Sequence, residues 1–407
     1  MTQTDTVISA EAVDADIARR VEQLLRDFPP HDTAQTDFFA ARFDAGLAWV
    51  HYPVGRGGLG LGPAQHRLPD ELLIAAGAPS NFALNPIGLG MTGPTVAHHG
   101  TDEQCDRYLR PLYACEEIWC QLFSEPGAGS DLAGLATSAV RDGGEWVLNG
   151  QKVWTSLGHK ASHGLLLART DPDAPKNRGM TTFILDMRAP GVEVRPLRQM
   201  TGDAEFNEVY LDDVRLPASA RLGPLNSGWQ VATTTLMNER VSIGSAMSTL
   251  ATPALTASEI YRQRDRSPVE RDRVARMWSE AWVAKVMNLR AAQLGMTGDP
   301  GPVGSVGKLF GAEHALRVHE LITDLLGADA MLYPDLGAGT PDRKDHRVAF
   351  LRSRANTIEG GTSEVMRNIL GERVLGLPRD DHGPRDRPWR EIPRNRPKRI
   401  TETRCSI

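Results

Sequence analysis

The apolar period of this 407-residue chain changes twice, and that double change bounds the fold more tightly than any single motif. ADIARRVEQLLRDFP (15–29) puts Ile17, Val21, Leu24 and Leu25 on one helical face. DFFAARFDAGLAWV, PAQHRLPDELLIAAG and DEQCDRYLRPLYACEE repeat that spacing, so only helices are expected up to about residue 118. The pattern then becomes strand-like. EWVLNGQKVWTS (145–156) alternates about an Asn-Gly, a strong hairpin signal. HGLLLART, GMTTFILDM, GVEVRPL and FNEVYLDDVRLP follow as short β-rich runs between turn residues. Helical spacing returns over 225–264, 270–296 and 306–327. NTIEGGTSEVMRNILGERVL then turns through two glycines into a last helix. The expected fold class is α+β multidomain. It comprises an N-terminal helical domain (1–118), a middle antiparallel β-domain (119–222) and a C-terminal helical bundle (223–378).

Residues 379–407 differ from all of these. From Pro378 the chain holds eight Arg, one Lys, five acids and five prolines, so it reads as a disordered Arg/Pro-rich tail. The tail carries about four positive charges, whereas the net charge is −5, so the body is acidic. That balance excludes nucleic-acid binding through overall positive charge. No apolar run reaches the roughly 20 residues of a membrane-spanning helix. The N-terminus lacks the apolar stretch of a secretory signal. The four cysteines form no CxxC pair, so a cytoplasmic protein without a metal site is expected. The glycines of HYPVGRGGLGLGP mark a turn, since no Lys-Ser/Thr follows to make a phosphate loop.

Four segments could carry chemistry, and each has a plainer reading. QLFSEPGAGSDLAGL (121–135) joins Ser124 and Ser130 to glycines that allow close ligand approach to the backbone, or it is a loop entering the β-domain. In GQKVWTSLGHKASH, Trp154 and Ser156 share a strand face and could hold a flat heteroaromatic ring; a strand tryptophan is more often core. Glu239 in LMNERVSIG lies in an apolar helix beside Arg240, as half of an ion pair or as an acid–base group. Glu359 precedes Gly360-Gly361 and a Thr-Ser cap, and Glu364 suits the first turn of the helix that follows.

LFSEPGAGSD, the WTS strand and EGGTSEVMRNILGERVLGLP occur in an order that resembles the acyl-CoA dehydrogenase family over residues 15 to about 378. The resemblance implies FAD bound between the β-domain and the C-terminal helices. Gln121, Phe123, Ser124, Gly129 and Ser130 would border it, with Ser130 also facing the pantetheine arm of the substrate. Trp154 and Ser156 would meet the isoalloxazine, and Thr362 and Glu364 would lie along the ribityl and pyrophosphate part. Relatives complete the site with an arginine from a neighbouring subunit. Arg262 is the match and Arg264 the fallback, in a segment without the usual Phe-Gly. The opposing segment reads DLLGADA, with Gly327 kept and Asp324 in place of Gln.

In the family a carboxylate removes the α-proton of a thioester while the β-hydride leaves for flavin N5. Many members place that base just before Gly-Thr of the closing loop, a position held here by Gly360, with Glu359 one residue out of register. Others, resembling isovaleryl-CoA and long-chain enzymes, use the first long C-terminal helix, where Glu239 stands. Glu239 is thus the expected base, the Gly360 N–H an oxyanion donor and Arg240 a charge on the substrate side, with Glu359 the alternative base. The resemblance implies an acyl-CoA substrate, an electron-transfer flavoprotein as acceptor and a homodimer or homotetramer. An acyl-carrier-protein thioester dehydrogenase or flavin oxidase, or a flavin-deficient subunit of a heteromer, are the rival expectations.

Overall fold

The structure, a computed structural model, describes residues 10–246, 251–264, 267–297, 303–332, 342, 345–379 and 386–392. The side chain of Arg240 and the chain beyond 392 lie outside the described residues. The N-terminal part holds α1 (Ala10–Asp27), α2 (Gln35–Asp44), α3 (Arg67–Ala75), α4 (Gly93–His99) and α5 (Asp102–Tyr113). Ile17, Val21 and Leu24, one stripe of α1, are buried with Phe38, Phe39 and Phe43 of α2. A π-turn, Gly88–Thr92, leads into α4. α5 starts at a capping box in which Thr101 and Gln104 satisfy each other's backbone N–H groups.

The middle part is one eight-stranded sheet: β1 (Trp119–Leu122), β2 (Ser138–Asp142), β3 (Glu145–Ser156), β4 (His163–Arg169), β5 (Met180–Asp186), β6 (Val192–Leu197), β7 (Phe206–Pro217) and β8 (Arg221–Leu222). Its order is β6-β7-β3-β2-β4-β5-β8, with β1 paired to β4. The antiparallel expectation fails at β4, to which β1 runs parallel along its length and β2 at Ser138–Arg169. The long chain from Phe123 to Ser162 supplies the crossover that a parallel pair needs. The hairpin expected at Asn149-Gly150 is also corrected. The turn is Gly143-Gly144, and β3 runs straight through Asn149. Asn149 bonds Asp213 on β7, and a Cβ on Gly150 would collide with Thr137. Gly150 therefore serves a close strand approach rather than a turn.

Both faces of the sheet are covered, which explains the unbroken apolar run of β4. Leu165 and Leu167 join the core shared with the N-terminal helices, and Leu166 and Ala168 join the core on the opposite face. The first core continues into Val231 and Ala232 of α6 (Gly228–Ala246). α7 (Ala251–Arg262), α8 (Pro268–Thr297) and α9 (Val303–Leu326) bury a third core, and α6 packs on α9. The stretch read as one helix over 225–264 thus covers α6 and α7, with 247–250 outside the described residues. α10 (His346–Ser353) and α11 (Ser363–Arg373) lie against α9.

The expected disordered tail needs correction where it is described. Residues 386–392 dock on the β-domain, with a 3-10 turn at Trp389–Glu391 and Trp389 only 8% exposed. A single large aromatic gives the segment apolar area that its average composition conceals. No described helix is long and apolar enough to cross a membrane.

Candidate active site

Trp154 is not core. It is 60% exposed with a left-handed backbone (φ 61°), at a bulge where the β3–β7 register shifts between Lys152 and Thr155. Bulges re-aim side chains, and a bulky residue at positive φ persists only where its surroundings impose it. Thr155 is buried and Ser156 is not, so Trp154 and Ser156 both face outward. Phe206 meets the Trp154 ring edge-on at 6.0 Å and fixes its tilt.

The loop after β1 lies beside this platform. The N–H of Val153 donates to Ser124 O (2.9 Å), joining loop to strand. Phe123 is buried, Gln121 and Ser124 are half-buried, and Gly129 and Ser130 are exposed, with open space where a Cβ on Gly129 would stand. Beneath the loop is an ion pair that the sequence reading missed. Lys152, 0% exposed, donates to Glu125 Oε1 (2.8 Å), Phe123 O (3.1 Å) and Leu167 O (2.7 Å). Glu125 accepts from the N–H groups of Ala136 (2.7 Å) and Thr137 (2.9 Å). Burial works to raise the Glu125 carboxyl, but the Lys152 ammonium and these N–H donors hold it below its ordinary value. Lys152 sits at an inward position of an alternating strand, and that was its sequence signal.

The closing loop approaches from the other side. Gly360 (φ 62°) and Gly361 (φ 92°) are left-handed, which glycine adopts freely. Thr362 caps α11 by accepting from Val365 N–H (3.1 Å), and Glu364 is exposed in the first turn. Ser363 is buried and its hydroxyl has no protein partner. A cavity of about 450 Å³ opens here between α9 and α11, lined by Arg317, Thr357, Thr362, Ser363 and Glu364 among others. An orphaned hydroxyl and free helix N–H groups at a cavity suit the phosphate end of a dinucleotide, and the Trp154–Ser156 platform suits a flat ring. These residues fit FAD.

The two candidate bases differ in their surroundings. Glu359 is held by Arg352 in a two-pronged pair (2.8 and 3.1 Å). Arg352 also lies 3.5 Å from Glu205 and over the Phe206 ring, so it ties the closing loop to the β-domain. Glu239 is half-buried on α6, one turn beyond Thr235, whose hydroxyl meets that of Thr95 on α4 (3.0 Å). Lys308 of α9, which the sequence reading also missed, is buried and donates to Asn356 O (2.6 Å). Burial pushes its ammonium down, while Glu359 and Glu239 both act to raise it. The two glutamates therefore lie in the field of one cation. Behind the closing loop His319 is pushed down to about 4 by burial and by His346, Arg354 and His314.

The residues expected at a subunit crossing make these contacts within the chain. Arg262 is exposed, while the Arg264 guanidinium lies 3.8 Å from where a Cβ on Gly327 would stand. Asp324 pairs with Arg273 (2.6 Å).

Family models match in the same order. They are those of the acyl-CoA dehydrogenase N-terminal domain (residues 8–116), middle domain (120–214) and C-terminal domain (226–375). Acyl-CoA dehydrogenase FadE34 of Mycobacterium tuberculosis is 42% identical over 338 residues, 83% of this chain; the chain spans 45% of that relative's length. Among solved structures, the Tcur3481-Tcur3483 steroid ACAD has a TM-score of 0.72 at 26% identity, covering 92% of this chain and 99% of that one. The ChsE4-ChsE5 complex from Mycobacterium tuberculosis has a TM-score of 0.70 at 29% identity, covering 92% and 100%. With the three domain models spanning most of the chain and an open platform suited to a flavin, this chain belongs to the acyl-CoA dehydrogenase family of FAD-dependent oxidoreductases.

Proposed function

We propose that the chain dehydrogenates an acyl-CoA thioester at its α,β bond, with Glu239 as the base. The observation that carries this reading is the closing loop, where Gly360 with its left-handed backbone (φ 62°) fills the position before Gly-Thr, while a half-buried carboxylate, Glu239, stands on α6. Bound FAD supplies the acceptor for the β-hydride. Glu239 takes the α-proton, and the electron pair left behind closes the double bond. Negative charge building on the thioester oxygen is met by the Gly360 N–H, presented by a backbone conformation that suits glycine. Trp154 and Ser156 would hold the ring, Gln121, Phe123, Ser124, Gly129 and Ser130 would border it, with Ser130 also facing the pantetheine arm of the thioester, and Thr362, Ser363 and Glu364 would face the phosphate end.

A base entering from α6 leaves room at the branch point of the acyl chain. Together with the similarity to a steroid enzyme, this favours bulky or ring-bearing acyl groups. An electron-transfer flavoprotein is the proposed acceptor. The test is anaerobic bleaching of the flavin band by a thioester panel running from straight to ring-bearing acyl groups. Reduction by bulky thioesters supports the reading, and a yellow protein that no thioester bleaches overturns it.

A second reading places the chain in a heteromer. The similarity to the ChsE4-ChsE5 complex, and the sequence departures beside Arg262 and at Asp324, favour it over a homo-oligomer. A colourless purified chain that gains flavin only beside a second subunit is its expected signature.

A further inference from the structure

The segment Asp386–Ile392 belongs to no helix of the C-terminal bundle, yet it is docked on the β-domain through specific contacts. The backbone N–H of Trp389 donates to Ala174 O (2.9 Å) and that of Arg390 to Pro172 O (3.1 Å). Pro388 bridges Pro175, and the Arg390 guanidinium pairs with Asp173 (2.7 Å). The Trp389 indole N–H points to Gly134 O (3.4 Å).

The indole covers a buried cation. Arg169 is 3% exposed, and its guanidinium lies 4.8 Å from the Trp389 ring centre. That guanidinium donates to Ala133 O (2.7 Å), Lys176 O (3.0 Å) and Arg178 O (2.8 Å). Lys176 in turn pairs with Asp131 (2.8 Å). Asp131, Ala133 and Gly134 are thus each gripped, and all follow directly on Gly129 and Ser130. Two of the three grips run through Arg169 and Trp389. Without the indole, water reaches the guanidinium and competes for its carbonyl acceptors, because a buried charge depends on exclusion of solvent.

We propose that Trp389 is a positioning residue: docked on Arg169, it holds the loop 129–135 in the shape in which Ser130 meets the pantetheine arm of the thioester. The docking stands on geometry alone, and the role at Ser130 rests on the function proposed above. The C-terminal segment is then a strap that joins the helical bundle to the substrate side of the β-domain. It acts on the carrier arm and is indifferent to the acyl group.

The test uses the full FAD-loaded chain with Trp389→Ala and Trp389→Phe, and coenzyme A itself as the probe. Two readouts are amide hydrogen exchange over residues 129–137 without ligand and the Kd for coenzyme A. Trp389→Ala is expected to raise exchange there and to weaken coenzyme A binding by roughly tenfold, the scale of a lost cation–π contact and hydrogen bond. Exchange in the β-domain outside residues 129–137 and the docking stretch 169–179 should not change. Trp389→Phe keeps a ring over Arg169 and should recover most of the binding. Unchanged exchange over 129–137 in Trp389→Ala overturns the strap. Raised exchange with unchanged Kd overturns its role in binding. If the unsubstituted chain itself does not bind coenzyme A, the functional reading and the role at Ser130 both fall, while the exchange arm still decides the docking.

Discussion

The two sides of the candidate site are held in different ways. On the β-domain side the ring platform and its loop rest on buried charge, namely Lys152 with Glu125 and Arg169 with its carbonyl acceptors. On the helical side the ion pairs of the closing loop, Arg352–Glu359 and Arg354–Glu320, are half-exposed, and Lys308 adds one buried bond to Asn356 O. Buried pairs are costly to break singly, and exposed pairs contribute little. The contrast assigns rigidity to the flavin side and adjustability to the side that carries the proton chemistry.

The largest expected effect is at Glu239. Glu239→Gln should lower thioester-driven flavin reduction on the order of a thousandfold, within the range a general base supplies, while FAD stays bound. Stopped-flow absorbance under anaerobic conditions measures it. Near-normal reduction would hand the role to Glu359 and erase the division between the two sides.

Breaking the buried pair should show mainly in stability. Lys152→Met leaves Glu125 buried without its cation, at a cost of about 3–5 kcal/mol. Adding Glu125→Gln should recover part of that loss, and denaturant unfolding of the single and double variants gives the coupling. Equal stability of Lys152→Met and the unsubstituted chain would remove the basis for a rigid flavin side.

Acid should act on the helical side. His319 has a folded-state value of about 4, against an ordinary value near 6.5, so the unfolded chain binds the extra proton between these limits. Its contribution is fully present above about pH 6.5 and is lost as pH falls toward 4. Thermal melts of His319→Gln should decline less steeply across that window than those of the unsubstituted chain, and parallel curves would clear His319. The smallest effect is expected for Glu359→Gln. It should change flavin reduction by less than about tenfold and stability by under about 1 kcal/mol, since its pair is about one-third exposed.

Much of this was legible in the chain. The helix–strand–helix order and the Thr362 cap follow from local spacing and turn chemistry, which neighbouring residues settle among themselves. Misreadings came where a local rule met a distant partner. Asn149-Gly150 looks like a turn, but Asp213, 64 residues away, keeps Asn149 in a continuous strand. Trp154 is expected at the ring platform, and the bulge that turns it outward is likewise invisible to a local pattern. Lys308 and Lys152 are single cations in apolar stretches, and only folding brings their carbonyl and carboxylate partners to them.

The sequence by itself determined which elements form, in what order, and which residue types are on hand for proton and ring chemistry, because period, caps and turns act over a few residues. Tertiary structure alone decided that Glu359 faces Arg352 and that Lys308 lies in the field of both glutamates. It also decided that a Pro- and Arg-rich segment sets its tryptophan on Arg169. The last two are contacts between distant segments, and the first joins residues seven apart across the turn between α10 and the closing loop. Their energy depends on burial and on the geometry of charges that no local pattern encodes.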